Sequence, residues 1–340
     1  MTLISRAISR LFELSKETVT VLKNYHIKVK GANIGIIGDN ARVSGGIHHY
    51  HGDASKTDAF TPEELEQFYL KRLIEHCDNL DLTPLEESCA QDGRSGQRGL
   101  IRVSDVFTTL YLKGIQRTED QTVAQVIIES SSNQKRFTDT MKVKRRKKFA
   151  DAIKEQETVP IQAIEAAGSV TRLVILGRPG GGKSTLVNHL ATQTAHLRLG
   201  KDITSDHLPG WSIEEKPIPV RIVLRRFAAW IPTDCREGTE GMVWDYLAHQ
   251  LQEWGCKAFH EHLKHTLDTN GGVIFFDGLD EVREQDEERT RSLIVEAIEA
   301  FVRPLKKCRV IITCRQYAYK QGDAWYLPQD LFSEVELDLF

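Results

Sequence analysis

Gly177-Arg178-Pro179-Gly180-Gly181-Gly182-Lys183-Ser184-Thr185 is the stretch around which the chain is read. It follows Thr171-Arg172-Leu173-Val174-Ile175-Leu176, an apolar run that predicts a short buried strand. It precedes Leu186-Val187-Asn188-His189-Leu190-Ala191, which predicts a helix. Strand, glycine-rich turn and helix together give the context in which G-x-x-x-x-G-K-S/T binds phosphate. Glycines let the backbone curl so that successive N–H groups face one anion. The positive end of the following helix adds to that field. Lys183 is expected to reach the β- and γ-phosphates, and the Ser184 hydroxyl to hold Mg²⁺. The competing reading is a chance glycine-rich turn, which the flanking strand and helix disfavour.

Working outward, 340 residues suggest two domains with ample core. A net charge of −3 argues against a dedicated nucleic-acid binder, which carries a basic excess. The six cysteines form no C-x-x-C pair, so neither a zinc finger nor a disulfide framework is suggested. Cys308 and Cys314 flank an apolar run and are expected to be buried thiols. No apolar run approaches the length of a membrane span, and the first residues lack a secretory signal. A cytoplasmic protein with no transmembrane segment is expected.

Toward the N-terminus, residues 3–24 carry apolar positions at helical spacing and predict an amphipathic helix, expected to pack on its own domain. Residues 31–52 alternate β-prone pieces with Gly and Asn turns. His48, His49 and His51 lie there without an acidic or cysteine partner, so a metal site is disfavoured. Residues 54–60 read as a linker. Thr61-Pro62-Glu63-Glu64 then opens a helix, with a capping Thr, Pro at the first position and acids in the first turn. Residues 103–112 fit helix or strand equally. Ser130-Ser131-Ser132-Asn133 reads as a flexible patch. The basic run Lys142 to Lys148 is expected to be a solvated face rather than a nucleic-acid contact. Residues 159–166 read as a short helix entering the next domain.

Toward the C-terminus, residues 218–225 predict a strand, and residues 239–267 a helix interrupted at Gly255. Gly272-Val273-Ile274-Phe275-Phe276-Asp277 describes a buried strand with an acid at its carboxyl edge, where ligands of open α/β sheets bind. Asp277 is expected to orient Mg²⁺. Asp280 and Glu281 lie just beyond, placed to polarise an attacking water. Residues 283–289 read as surface. Arg309 to Arg315 forms the next strand, with Thr313 and Arg315 at the end where a γ-phosphate is sensed. Residues 332–337 alternate like an edge strand.

Residues 169–340 resemble the NACHT NTPases, a branch of the STAND ATPases related to AAA+ proteins. Three segments carry the resemblance: Gly177 to Thr185 as the Walker A loop, Phe275-Phe276-Asp277-Gly278-Leu279-Asp280-Glu281 as Walker B with its second acidic pair, and Ile311-Ile312-Thr313-Cys314-Arg315 as the sensor strand. A weaker similarity to the stretch ahead of bacterial NACHT modules covers Tyr69 to Leu112. The resemblance implies an α/β P-loop fold with a five-stranded parallel sheet flanked by helices. The sensor strand is to lie between the Walker A and Walker B strands, and a smaller, mainly helical region is to precede the sheet. It also implies ATP or GTP with Mg²⁺, slow hydrolysis, and a switch from a closed diphosphate state to a self-oligomerised triphosphate state. Bacterial relatives of this kind serve in defence against phage. Such proteins continue into a winged helix and a sensor domain that receives the trigger ligand, so a C-terminally truncated member is expected.

Three regions are therefore expected: 1–55, an amphipathic helix plus a Gly/His-rich β segment; 56–150, a helical region; and 151–340, the nucleotide-binding domain. Gly177, Arg178, Pro179, Gly180, Gly181, Gly182, Lys183, Ser184 and Thr185 are expected at the nucleotide. Ser184 and Asp277 are expected at the metal, and Asp280, Glu281 and Arg315 in catalysis. The alternatives are an AAA+-like nucleic-acid motor using residues 142–148 and a non-hydrolysing nucleotide-binding scaffold.

Overall fold

The structure, a computed structural model, describes residues 28–29, 32–33, 60–78, 102–118, 120–135, 158–282, 287–321 and 327–338. The chain forms two compact units, Met1–Ala59 and Phe60–Phe340. In the first, β1 (Lys28–Val29) pairs antiparallel with β2 (Ala32–Asn33). The helix expected over 3–24, the histidines at 48, 49 and 51, residues 54–59 of the linker and the basic run 142–148 lie outside the described residues.

The second unit opens with α1 (Pro62–Asp78). Its start is a reciprocal capping box: the Glu64 N–H donates to Thr61 Oγ1 at 3.2 Å, and the Thr61 N–H donates to Glu64 Oε2 at 2.9 Å. Residues 103–112, equally helix or strand on sequence, divide between the two. A four-residue helix α2 (Val103–Val106) precedes β3 (Tyr111–Arg117).

Ser130 to Asn133, expected to be flexible, lies inside helix α3 (Val123–Lys135). The reason is tertiary. Ser131 Oγ donates to the Glu334 carbonyl at 3.3 Å and accepts the Glu334 N–H at 3.2 Å, docking the helix on the last strand. Residues 159–162, expected to be helical, form β4 (Val159–Gln162), antiparallel to β3. Pro160 disfavours helical geometry at Val159, and the strand hands over to α4 (Ala163–Ser169).

The remaining elements alternate: β5 (Arg172–Gly177), α5 (Lys183–Arg198), β6 (Ile218–Val223), α6 (Leu224–Trp230), α7 (Glu240–Glu253), α8 (His260–Thr269), β7 (Gly272–Asp277), α9 (Glu287–Val302), β8 (Arg309–Arg315), α10 (Gln316–Gln321) and β9 (Ser333–Glu336). Gly255, at φ +75°, breaks the helix between α7 and α8, as its sequence position predicted.

Strands β6-β7-β8-β5-β9 form one five-stranded sheet in that order, with every pair parallel. The expected insertion of the 309–315 strand between β5 and β7 is thus observed. Every residue of β7 is buried, as is all of β5 after Arg172, the pattern of a sheet covered on both faces. Helix α1 joins this core by packing on α5. Its Leu70, Leu73 and Cys77 are buried, and the Tyr69 hydroxyl donates to the Pro219 carbonyl at 2.8 Å. The carboxyl ends of β5, β7 and β8 bring Gly177, Asp277 and Arg315 to one edge of the sheet.

Candidate functional site

The glycine-rich loop leaves β5 at Gly177 and enters α5 at Lys183. Gly180 and Gly182 sit at φ +71° and +74°, left-handed conformations that a side chain would strain. The Gly181 N–H donates to the Arg178 carbonyl at 3.1 Å, closing the turn. The Gly182 carbonyl accepts from Leu186 at 2.8 Å as the first bond of α5. The amino end of a sixteen-residue helix therefore opens directly on the loop.

Lys183 folds back over the loop, and its ammonium donates to the carbonyls of Arg178 at 2.8 Å and Gly177 at 3.2 Å. Partial burial pulls its pKa below the usual lysine range, against the opposing pull of Asp280 and Asp277. A half-buried cation resting on two neutral carbonyls has charge left for an anion.

Ser184 and Asp277 meet from 93 positions apart: the serine hydroxyl lies 3.0 Å from Asp277 Oδ1. Thr313 Oγ1 donates to the same oxygen at 2.9 Å and accepts the Gly278 N–H at 2.9 Å. The Thr313 hydroxyl thus fastens the turn after β7, and Thr313 also lines the cavity beside the loop. The turn needs Gly278, at φ +80°, where a Cβ would also stand 3.2 Å from the Glu281 side chain.

Asp277 Oδ2 is held by Arg221 at 3.0 Å, with both side chains largely buried. Sequence reasoning missed Arg221. Its signal was a charged residue inside the apolar run of β6, and a buried charge of that kind calls for a counter-charge.

Asp280 and Arg315, expected to act separately, are paired with each other. Arg315 Nε lies 2.9 Å from Asp280 Oδ2, and the Arg315 N–H donates to Oδ1 at 2.7 Å. The Asp280 side chain is 4% exposed and that of Arg315 48% exposed, so the acid is enclosed and the guanidinium open on one side. Glu281 stands at the rim, and among the described residues no ion pair holds it.

Loop, acids and arginine line a cavity of about 200 Å³ bounded by Gly180, Lys183, Ser184, Asp280, Glu281 and Arg315. A larger groove of about 440 Å³ runs between α1, the end of α5 and α8. Within it Arg198 grips both oxygens of Glu66 at 2.6 and 2.9 Å. The smaller cavity combines a helix amino end with the Lys183 ammonium, which rests on neutral carbonyls, and with the half-exposed Arg315 guanidinium.

Serine hydroxyl and carboxylate are hard oxygen ligands, and magnesium is usually held by one or two carboxylates together with phosphate oxygens and water. Among the described residues no group of three or more His, Cys, Asp or Glu side chains is placed to hold a metal ion. Among those residues no helix is long and apolar enough to cross a membrane. No family model and no curated protein matches the chain.

Proposed function

We propose that the second unit binds a nucleoside triphosphate with Mg²⁺ and hydrolyses it slowly, as a NACHT-type switch. The observation that carries the reading is the meeting of Ser184 with Asp277 at 3.0 Å beside the Lys183 ammonium. Two oxygen ligands and one cation converge at a helix amino end, which is the minimum for holding a metal-bound polyphosphate.

Each residue's part follows from its surroundings. The loop amides from Gly180 to Ser184 would bind phosphate oxygens, and Lys183 would exchange its two carbonyl partners for the β- and γ-phosphates. Ser184 and Asp277 would hold the Mg²⁺, which when bound withdraws charge from the phosphates. Glu281, at the cavity rim, is the acid available to orient a water; Asp280 is spent on Arg315. Arg315, half exposed, would reach the terminal phosphate while Asp280 holds its base. Binding would then strain or release the Arg315–Asp280 pair, the local event a nucleotide switch needs. The resemblance extends the proposal to a cytoplasmic, self-oligomerising switch in bacterial defence, with ATP or GTP as ligand.

The Arg315–Asp280 pair also favours a second reading, a nucleotide-binding scaffold that does not hydrolyse. Purified protein, denatured and its released small molecules separated, is expected to yield adenosine or guanosine nucleotide. Single-turnover assays with radiolabelled triphosphate then separate the readings. Slow release of phosphate supports the switch, and bound triphosphate that never turns over supports the scaffold. Protein that neither carries nor captures nucleotide contradicts both.

A further inference from the structure

Arg221 has no part in the chemistry above, yet it is a largely buried cation at the site. It lies inside β6, in register with Phe275 on the neighbouring strand. Its backbone carbonyl accepts from the Gln250 side chain at 3.2 Å. Its guanidinium meets Asp277 Oδ2 at 3.0 Å with only 15% of the side chain exposed. Its Nε is buried without an acceptor, and the buried Cys77 thiol at the end of α1 sits against it. A cation this enclosed is costly to bury, and the cost is met when it holds a second group in place.

That group is Asp277. The two carboxylate oxygens are divided between partners. Oδ1 takes the hydroxyls of Ser184 and Thr313, and Oδ2 takes Arg221 alone. The last torsion of an aspartate is broad, so a carboxylate fastened through one oxygen can turn. Held through both, it keeps Oδ1 toward Ser184.

We propose that Arg221 is the positioning residue of the magnesium site, fixing Asp277 so that Oδ1 and the Ser184 hydroxyl are presented together. The inference rests on the nucleotide reading of this site. Arg221 acts through Asp277 and touches neither nucleotide nor metal. Groups behind a metal ligand typically set metal affinity by about 10- to 100-fold.

The test uses the full chain and a fluorescent ATP analogue, titrated with Mg²⁺ and separately held in EDTA. Arg221→Met is expected to raise the half-saturating Mg²⁺ concentration by about 10- to 100-fold while leaving binding in EDTA unchanged. Arg221→Lys, which keeps a cation but loses the planar fork, is expected to recover most of that loss. An unchanged Mg²⁺ midpoint in Arg221→Met overturns the proposal. So does an equal loss in EDTA, the mark of a merely structural role. Should Arg221→Met lack a cooperative melting transition, Arg221→Gln and Arg221→Lys are compared in the same titration. Equal midpoints for those two overturn the proposal, and a higher one for the glutamine variant supports it. Wild-type protein that binds no analogue, or binds it without regard to Mg²⁺, overturns the nucleotide reading as well, which separates the two failures.

Discussion

An ionised carboxylate at the end of a fully apolar strand survives only when donors surround it, and Asp277 has three: Ser184, Thr313 and Arg221. Ser184 is the donor free to turn to a metal, because among the described residues its hydroxyl bonds Asp277 alone. Ser184→Ala is expected to weaken Mg²⁺-dependent nucleotide binding by about tenfold or more, with little change in melting temperature. A filter-binding series with and without Mg²⁺ reads this directly. His189 shows a different residue-scale effect. Its ring stacks on Phe107 at 3.8 Å, and burial pulls its pKa down to about 4, with His207 adding to the shift and Asp78 opposing it. The folded state therefore favours the neutral ring. The resulting stability is present above the unfolded value of about 6.5 and is lost as pH falls from there toward 4. His189→Phe should keep the stack and remove this dependence. Urea melts at neutral pH and near pH 4.5 should show the variant losing less stability than wild type, by on the order of 2 kcal/mol.

At the scale of elements, helix α1 shows how local signals and tertiary contacts agree. Thr61-Pro62-Glu63-Glu64 announces a helix start in sequence, and the capping box is formed. Thr61→Ala is expected to cost about 1 kcal/mol. Leu73, fully buried where α1 meets the core, is expected to cost about 2–5 kcal/mol as Leu73→Ala. Both follow from denaturant midpoints, and equal effects for the two would contradict the assignment of one to a rim and the other to the core. Strands β5, β7 and β8 were legible because each is a continuous apolar run, the signature of a parallel sheet with both faces covered. Helix α3 was not legible across Ser130 to Asn133. Serines favour turns by bonding their own backbone, but Ser131 bonds β9 instead, a partner 203 positions away. Strand β4 was hidden for a related reason: the alanines of α4 follow it directly and blur the boundary.

For the whole molecule, the sheet order is what makes a site out of dispersed residues. With β8 between β5 and β7, the loop from Gly177, the acid Asp277 and the guanidinium of Arg315 reach one edge. The sequence placed each of these at the end of an apolar strand, so the candidate site was legible in outline. Pairings across strands were not. Arg221 and the Asp280–Arg315 bond depend on neighbours that no spacing within a strand reveals. That bond changes which acid is expected to matter for turnover. Glu281→Gln is expected to lower single-turnover hydrolysis by about 10²- to 10⁴-fold with nucleotide still bound. Asp280→Asn should instead loosen Arg315 and weaken discrimination between tri- and diphosphate. Equal rates for Glu281→Gln and wild type would move the water-orienting role elsewhere.

The central claim is that the amides of the glycine-rich loop and the Lys183 ammonium face a polyphosphate. Calorimetric titration of a non-hydrolysable triphosphate with Mg²⁺ into wild type and Lys183→Ala tests it most directly. The account predicts saturable one-to-one binding by wild type and none detectable by the variant at the same concentrations. Equally tight binding by a folded Lys183→Ala would contradict it.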